Sequence, residues 1–143
     1  MITSIDKKRV LIVEDEQSIR DTLVDLFDVD GNVVQSAELL PEALACLRAQ
    51  RFDLIVTDLR LGGKRDGGLQ VVAMAGMLSP DVSVLVLTAY PDDASRQASV
   101  RLGAVQFLEK PVDLSIIARH ADGVGVRTAV SDAVVKVAEG PPR

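Results

Sequence analysis

The chain has 143 residues, of which 48% are hydrophobic and 26% are charged, so it is long enough to form one domain with a substantial core. Its formal net charge of -5 and the lack of a clustered basic run argue against direct nucleic-acid binding. No apolar run approaches membrane-spanning length and residues 1–9 lack the apolar stretch of a secretory signal, so we expect a cytoplasmic protein that does not enter a membrane.

The first predicted strand, residues 10–13, is followed directly by Glu14 and Asp15. Apolar residues at helical spacing then predict a first helix, and a turn leads into a short second strand at residues 33–35. Pro41 suits the first turn of a second helix. This alternation of strands and helices indicates a parallel sheet covered by helices on both faces.

The third predicted strand, residues 54–57, leads directly into Asp58. Because the carboxyl ends of parallel strands meet at one edge of a sheet, we expect Asp58 to lie near Glu14 and Asp15. Carboxylates that lie so close together either raise one another's pKa or bind a cation. Mg²⁺ is the natural cation here, since it prefers oxygen ligands and usually joins one or two carboxylates to a phosphate.

The loop after Asp58 is rich in glycine, with Gly62, Gly63, Gly67 and Gly68. Their backbone freedom predicts a mobile lip beside the acidic cluster. A phosphate-cradling glycine loop is an alternative, but the spacing matches no P-loop.

Two further polar residues fall at strand ends. Thr88 ends the fourth predicted strand, and Lys110 follows the fifth at residues 105–109. An ammonium at this edge can offset acidic charge and bind a phosphoryl oxygen, while a hydroxyl can donate a hydrogen bond to another oxygen. The sequence therefore predicts several groups suited to phosphate at one edge of the sheet.

The helix predicted at residues 92–102 is weak. Only Ala94, Ala98 and Leu102 are expected on its inner face. Because so little apolar area is available for burial, we expect this helix to be poorly anchored.

A fifth helix is predicted to end before Gly123, and it carries the only histidine, His120, which we expect at the surface. Apolar residues at helical spacing in residues 123–143 predict an extra amphipathic helix. This helix would either pack on its own domain, begin a linker, or form a surface for a partner or a dimer.

Each of these polar residues has an ordinary structural explanation when it is considered alone. An Asp after a strand is usually a turn residue or a helix N-cap, and a lone Lys is usually a solvated surface charge. Four strand ends that carry complementary groups favour a phosphorylation site instead.

The motifs VLIVEDE, DLIVTDLRL, VLVLTAY and FLEKP, in this order, resemble the receiver domain of two-component response regulators. The resemblance covers residues 9–122 and leaves residues 1–8 and 123–143 as N- and C-terminal extensions. It implies a flavodoxin-like, doubly wound sheet of five parallel strands in the order 2-1-3-4-5, with five helices.

By this resemblance Asp58 is the phosphoacceptor. Asp15 and Asp58 would bind Mg²⁺ directly, Glu14 would act through a bound water, and the backbone carbonyl of Arg60 would supply a further ligand. The resemblance thus implies a magnesium-dependent phosphoprotein of phosphorelay signal transduction.

The resemblance also implies that Thr88 and Lys110 hold the phosphoryl oxygens and that Thr88, Tyr90 and Phe107 form the switch. Phe107 lacks the hydroxyl that a Tyr would offer, and a buried sheet position is its ordinary alternative. Arg60 and Tyr90 flank the site at positions that tune the access of water in this family. The fourth helix, fifth strand and fifth helix would form the readout face.

The implied phosphate donor is a sensor histidine kinase or a histidine phosphotransfer protein, since His120 lies far from every strand-end motif. The downstream effector would be another protein, and the resemblance also allows a homodimer. The chain would act alone or as part of a longer regulator.

Two other functions remain open at this point. A metal-dependent phosphatase or phosphotransferase of the haloacid dehalogenase type also uses a strand-end Asp nucleophile, but it needs a second acid where this chain has Arg60. A flavodoxin-like binding module that is never phosphorylated would need neither Lys110 nor Asp15.

Overall fold

The computed structural model describes residues 7–131. In chain order the strands are β1 (Lys8–Val13), β2 (Asn32–Ala37), β3 (Leu54–Asp58), β4 (Ser83–Thr88) and β5 (Gln106–Glu109). The helices are α1 (Gln17–Phe27), α2 (Leu40–Ala49), α3 (Gly67–Leu78), α4 (Asp93–Arg101) and α5 (Leu114–Gly123). Within residues 7–131, no helix has both the length and the apolar character that crossing a bilayer requires.

The five strands form one parallel sheet in the order β2-β1-β3-β4-β5, which confirms the predicted fold class. Strands β3 and β4 are buried along their whole length, because helices cover both faces and neighbouring strands cover both edges. The edge strands β2 and β5 are more exposed. The central position of β3 places its last residue, Asp58, in the middle of the carboxyl edge.

The core is divided by the sheet into two layers, because successive strand residues point to opposite faces. In β1, Leu11 and Val13 pack with α2 and α3, whereas Val10 and Ile12 pack with α1 and α5. The loops at the carboxyl edge therefore lie between two well-packed helical layers.

The inner face of α4 differs from the prediction. Its buried residues are Ser95 and Ser99, while Ala94 is exposed and Leu102 is 40% exposed. Burial of the two serines costs little free energy, because each hydroxyl donates a hydrogen bond within the helix. Ser95 Oγ donates to the N-cap Asp92, and Ser99 Oγ donates to the Ser95 carbonyl at 2.8 Å. The expectation that α4 has little apolar anchoring is nevertheless confirmed.

The chain after α5 packs against the domain as far as the structure describes it. Val126 is buried beside α1 and α5, and Asn32 Nδ2 donates to the carbonyl of Arg127 at 2.8 Å. Thr128 and Ser131 exchange hydrogen bonds between side chain and backbone, as in a capping box, and residues 129–131 are helical. The rest of the predicted extra helix lies outside the described residues.

Candidate functional site

The acidic residues come together as predicted, because β1 and β3 are neighbours in register. Val13 pairs with Thr57, so Glu14 and Asp15 leave β1 beside Asp58. One carboxylate oxygen from each of Glu14, Asp15 and Asp58 lies within 4.8 Å of the other two. Glu14 and Asp58 are buried, whereas Asp15 reaches solvent.

Lys110 provides the positive charge at this cluster. Its Nζ lies 2.6 Å from Oε1 of Glu14 and 3.2 Å from Oδ2 of Asp58, and the side chain is only 13% exposed. Burial lowers the pKa of Lys110, but the contact with Glu14 and the charges of Asp58 and Glu14 outweigh it and raise the pKa. Lys110 therefore stays charged beside both carboxylates. The peptide bond that follows it, between Lys110 and Pro111, is cis.

Glu14 has a strongly raised pKa. Burial is the largest cause of its raised pKa, which is about 7 instead of 4.5; the charge of Asp58 adds to the effect and the contact with Lys110 opposes it. Among residues 7–131, the group paired with its buried Oε1 is the ammonium of Lys110 at 2.6 Å. A carboxylate oxygen can accept more than one such contact, so Oε1 keeps the capacity to accept from a further donor.

The donor set fits Mg²⁺. The ion prefers oxygen ligands and keeps several waters, so a site with two buried carboxylates and a third that reaches solvent suits it. A divalent ion would also relieve the repulsion between Glu14 and Asp58. The role of the Arg60 carbonyl as a further ligand stays a prediction.

Thr88 joins the same edge as the last residue of β4. The amide of Leu59 donates to the carbonyl of Leu87 at 2.8 Å, and the amide of Lys110 donates to the carbonyl of Thr88 at 2.8 Å. These bonds tie the ends of three adjacent strands together. Thr88 Oγ1 accepts from the amide of Tyr90 at 3.0 Å, so its hydroxyl proton is available for another acceptor.

The two aromatic residues of the predicted switch lie in different surroundings. Tyr90 is 64% exposed, and the guanidinium of Arg60 lies 4.6 Å from its ring centre. Phe107 is buried in β5, with the guanidinium of Arg96 at 5.1 Å from its ring. The buried sheet position considered for Phe107 is thus what the structure shows, while its switching role stays a prediction.

The glycine-rich loop corrects one expectation. Gly62 and Gly63 have positive φ angles of 56° and 79° at the loop tip, but Gly67 and Gly68 open helix α3 and are buried. A Cβ on Gly68 would lie 2.2 Å from the carbonyl oxygen of Asp58. Gly68 is therefore required for the close approach of α3 to the strand end, so assigning it to a mobile lip was wrong.

Sequence reasoning missed two contacts around Asp15. The amide of Gly62 donates to Oδ2 of Asp15 at 3.3 Å, so the loop after β3 reaches across to β1. Arg20, on the first turn of α1, donates from Nη1 to the carbonyls of Glu14 at 2.9 Å and Asp15 at 3.4 Å. No sequence pattern predicts either contact, because both depend on the backbone conformation of the loops after β1 and β3.

His120 lies at the opposite edge of the sheet from Asp58. Its Nε2 is 2.8 Å from the hydroxyl of Ser83, the first residue of β4, and burial lowers the pKa of the imidazole. The residue is partly buried, so it is less exposed than the surface position that the sequence predicts for it. Its distance from the strand-end motifs is as expected.

Comparison with known proteins gives a consistent family. The family model of the response regulator receiver domain matches residues 10–122. The chain is 37% identical to the alginate biosynthesis transcriptional regulatory protein AlgB of Pseudomonas aeruginosa, over 76% of this chain and 24% of AlgB. It is 30% identical to the response regulator protein FleR of the same organism, over 80% of this chain and 25% of FleR. The chain thus spans about a quarter of the length of these two relatives.

Solved structures agree with this match. A response regulator of Burkholderia pseudomallei, with a phosphorylated aspartic acid, a calcium ion and citrate, is 32% identical with a TM-score of 0.71, covering 94% of this chain and 76% of that chain. The beryllofluoride-activated receiver domain dimer of NtrC4 is 28% identical with a TM-score of 0.71, covering 81% of this chain and 94% of that chain.

Proposed function

Because the chain belongs to the response regulator receiver domain family, we propose that it accepts a phosphoryl group on Asp58 from a phosphohistidine of a sensor histidine kinase or a histidine phosphotransfer protein. The observation that carries this proposal is the position of Asp58, which is buried at the carboxyl edge within contact distance of Lys110 and beside two further carboxylates. A phosphorylated aspartic acid in the similar Burkholderia structure supports it.

In the proposed reaction a carboxylate oxygen of Asp58 attacks phosphorus, the P–N bond to the donor imidazole breaks, and a P–O bond forms. Asp15 and Asp58 would hold Mg²⁺ directly, with Glu14 acting through water and the Arg60 carbonyl as a further ligand. When bound, the ion would neutralise the negative charge that gathers on the phosphoryl oxygens. Lys110 already lies against Asp58, so its ammonium would contact a phosphoryl oxygen as the new bond forms.

The donor is proposed to come from another protein, because His120 lies at the far edge of the sheet. A cavity of about 280 Å³ adjoins the site and offers the donor a place to bind. It is lined by residues of α1, including Ile19 and Leu23, and by residues 110–112 and Leu114. Its mixed apolar and polar walls suit an amphipathic helix of a partner.

A cytoplasmic location, where kinases have access to ATP, is part of this proposal.

The proposed output is a shift between two surface shapes. The Thr88 hydroxyl accepts a hydrogen bond from the amide of Tyr90. On phosphorylation the hydroxyl would turn toward the phosphoryl group and release this amide. The face of α4, β5 and α5 carries exposed apolar residues and would be read by an effector protein or by a second copy of this chain. These residues are Val100, Leu102, Val105 and Ile116. The solved NtrC4 receiver dimer supports the homodimer as one outcome.

The alternatives have less support. Receiver domains are signalling domains, and the residue two positions after Asp58, where a phosphatase of the haloacid dehalogenase type needs an acid, is Arg60, whose guanidinium lies over Tyr90. A binding module without phosphorylation leaves the contacts of Lys110 with both Glu14 and Asp58 unexplained.

Incubation with phosphoramidate and Mg²⁺ tests the proposal by intact-protein mass. The receiver function requires that the wild-type chain gain one phosphoryl group and that Asp58→Asn gain none. Rapid release of phosphate without a lasting mass gain would favour an enzyme. An unmodified wild-type chain would favour the binding module.

A further inference from the structure

Arg20 lies beside the acidic cluster without contacting any of its carboxylates. The residue belongs to the first turn of α1, and its Nη1 donates to the carbonyl oxygens of Glu14 at 2.9 Å and Asp15 at 3.4 Å. These two residues begin the connection between β1 and α1, which Glu16 completes, and they carry two of the three clustered carboxylates. One guanidinium therefore binds the backbone of both.

The orientation of these two peptide groups decides where the carboxylates lie. Glu14 still belongs to the sheet through its amide, which donates to the carbonyl of Ala37 at 3.0 Å, whereas its own carbonyl is held by Arg20. Asp has a short side chain, so its carboxylate moves almost rigidly with its backbone. A ligand set must be held to within about 0.5 Å for strong binding, so the backbone contact has consequences for the metal.

We propose that Arg20 is a positioning residue for the acidic cluster and that it raises the affinity for Mg²⁺ through the carbonyls of Glu14 and Asp15. The inference rests on the proposed function, since it deepens the metal site assigned there. Arg20 acts as an outer partner that orients metal ligands, a role in which loss of the partner typically costs about tenfold or more in metal affinity.

The charge of Arg20 and its positioning contacts have opposite effects on the affinity for Mg²⁺, so the two can be told apart. A cation near a divalent ion repels it, so removing the charge alone would tighten Mg²⁺ binding. Removing the contact that orders the two carbonyls would weaken Mg²⁺ binding. The direction of the change in Kd therefore distinguishes the positioning role from a purely electrostatic one.

The experiment is calorimetric titration of the full chain with MgCl₂ for the wild type, Arg20→Met, Arg20→Gln and Arg20→Lys. Arg101→Met is the matched control, since Arg101 is exposed at the far end of α4. We expect the Kd for Mg²⁺ to rise roughly tenfold in both neutral variants, to change less in Arg20→Lys, and to stay the same in Arg101→Met. Thermal unfolding without metal shows whether each variant is folded.

An unchanged or lower Kd in folded Arg20→Met and Arg20→Gln would overturn the positioning role. If Arg20→Met does not fold, the comparison of Arg20→Gln with Arg20→Lys decides in the same way. A wild-type chain that binds no Mg²⁺ would overturn both this inference and the proposed metal site. If the wild type binds Mg²⁺ and is phosphorylated, and the neutral variants bind Mg²⁺ with the same Kd, the role of Arg20 alone is overturned.

Discussion

Nζ of Lys110 lies 3.2 Å from Oδ2 of Asp58, although the two are 52 positions apart in the chain. The same ammonium lies 2.6 Å from Oε1 of Glu14, so one cation holds two buried carboxylates at the carboxyl edge. The contact stabilises the acidic cluster and places a positive charge where a phosphoryl group would bind.

The first prediction concerns this contact. In Lys110→Met the rate of phosphoryl uptake from phosphoramidate should fall by at least about tenfold, because a charge that stabilises the transferred group is lost. At about pH 8 the free energy of unfolding should also fall, by about 1–3 kcal/mol, because Glu14 is left buried without its cation. Chemical denaturation and mass spectrometry measure the two effects.

Lys64→Met is the control for this prediction, because Lys64 is an exposed residue of the loop after β3. It removes the same charge without breaking the ion pair. Equal rates of uptake in Lys64→Met and Lys110→Met would mean that the contact with Asp58 has no part in the reaction.

The second prediction concerns pH. Burial raises the pKa of Glu14 to about 7, so between about pH 4.5 and 7 the folded, metal-free chain binds more protons than the unfolded chain. Its free energy of unfolding should therefore carry a contribution that falls as pH rises through this window. Mg²⁺ binds the ionised form, so its affinity should rise over the same window and binding should release protons.

Calorimetric titration in two buffers of different ionisation enthalpy measures this proton release. Glu14→Gln keeps the shape of the side chain and removes its titration, so its proton release should be smaller at about pH 6.5. Identical proton release in the variant and the wild type would show that Glu14 is not the responsible group.

The third prediction concerns Gly68. Its Cβ in Gly68→Ala would lie 2.2 Å from the Asp58 carbonyl oxygen and 2.8 Å from the Leu59 Cα, both backbone atoms that cannot move independently. We expect a loss of about 1–3 kcal/mol in the free energy of unfolding and weaker Mg²⁺ binding, because the end of β3 must shift.

Gly76→Ala is the matched control for Gly68→Ala in the same helix. The nearest atom to its Cβ is the carbonyl oxygen of Leu102 at 3.8 Å, an ordinary contact. Ala should stabilise this helical position by about 0.5–1 kcal/mol. A Gly68→Ala chain as stable as Gly76→Ala would contradict the close approach of α3 to Asp58.

The fourth prediction concerns the contact of Arg60 with Tyr90. The pair lies beside the site, with the guanidinium 4.6 Å from the ring centre, and should shield a phosphoryl group on Asp58 from water. In Arg60→Ala the half-life of phosphorylated Asp58 should shorten by roughly two- to fivefold, the factor that corresponds to an exposed cation–π contact. Arg96→Ala, which loses the equivalent contact with Phe107, should leave the half-life unchanged.

Much of the site could be predicted from the sequence, because strand ends are easily recognised. Asp58 and Glu14 each follow a continuous apolar run, and the parallel topology brings such ends together. The inner face of α4 could not be predicted from hydrophobicity, since Ser95 and Ser99 bury their hydroxyls by bonding within the helix.

The contacts of Gly68 and Arg20 could not be predicted either. A glycine that supplies flexibility and one that permits close packing look identical in a sequence. Gly68 is distinguished only by its distance from Asp58. The bonds from Arg20 to two carbonyls cross the turn between β1 and α1, and side-chain to backbone contacts of this kind leave no pattern of residue types.

The most direct test of the account is the identity of the phosphorylated residue. After treatment with phosphoramidate and Mg²⁺, reduction with sodium borohydride converts an acyl phosphate into a stable derivative that tandem mass spectrometry can locate. If Asp58 is the phosphoacceptor, the derivative is found at Asp58 and at no other position. A derivative at Asp15 or Glu14, or none at Asp58 in a chain that has gained phosphate, would contradict it.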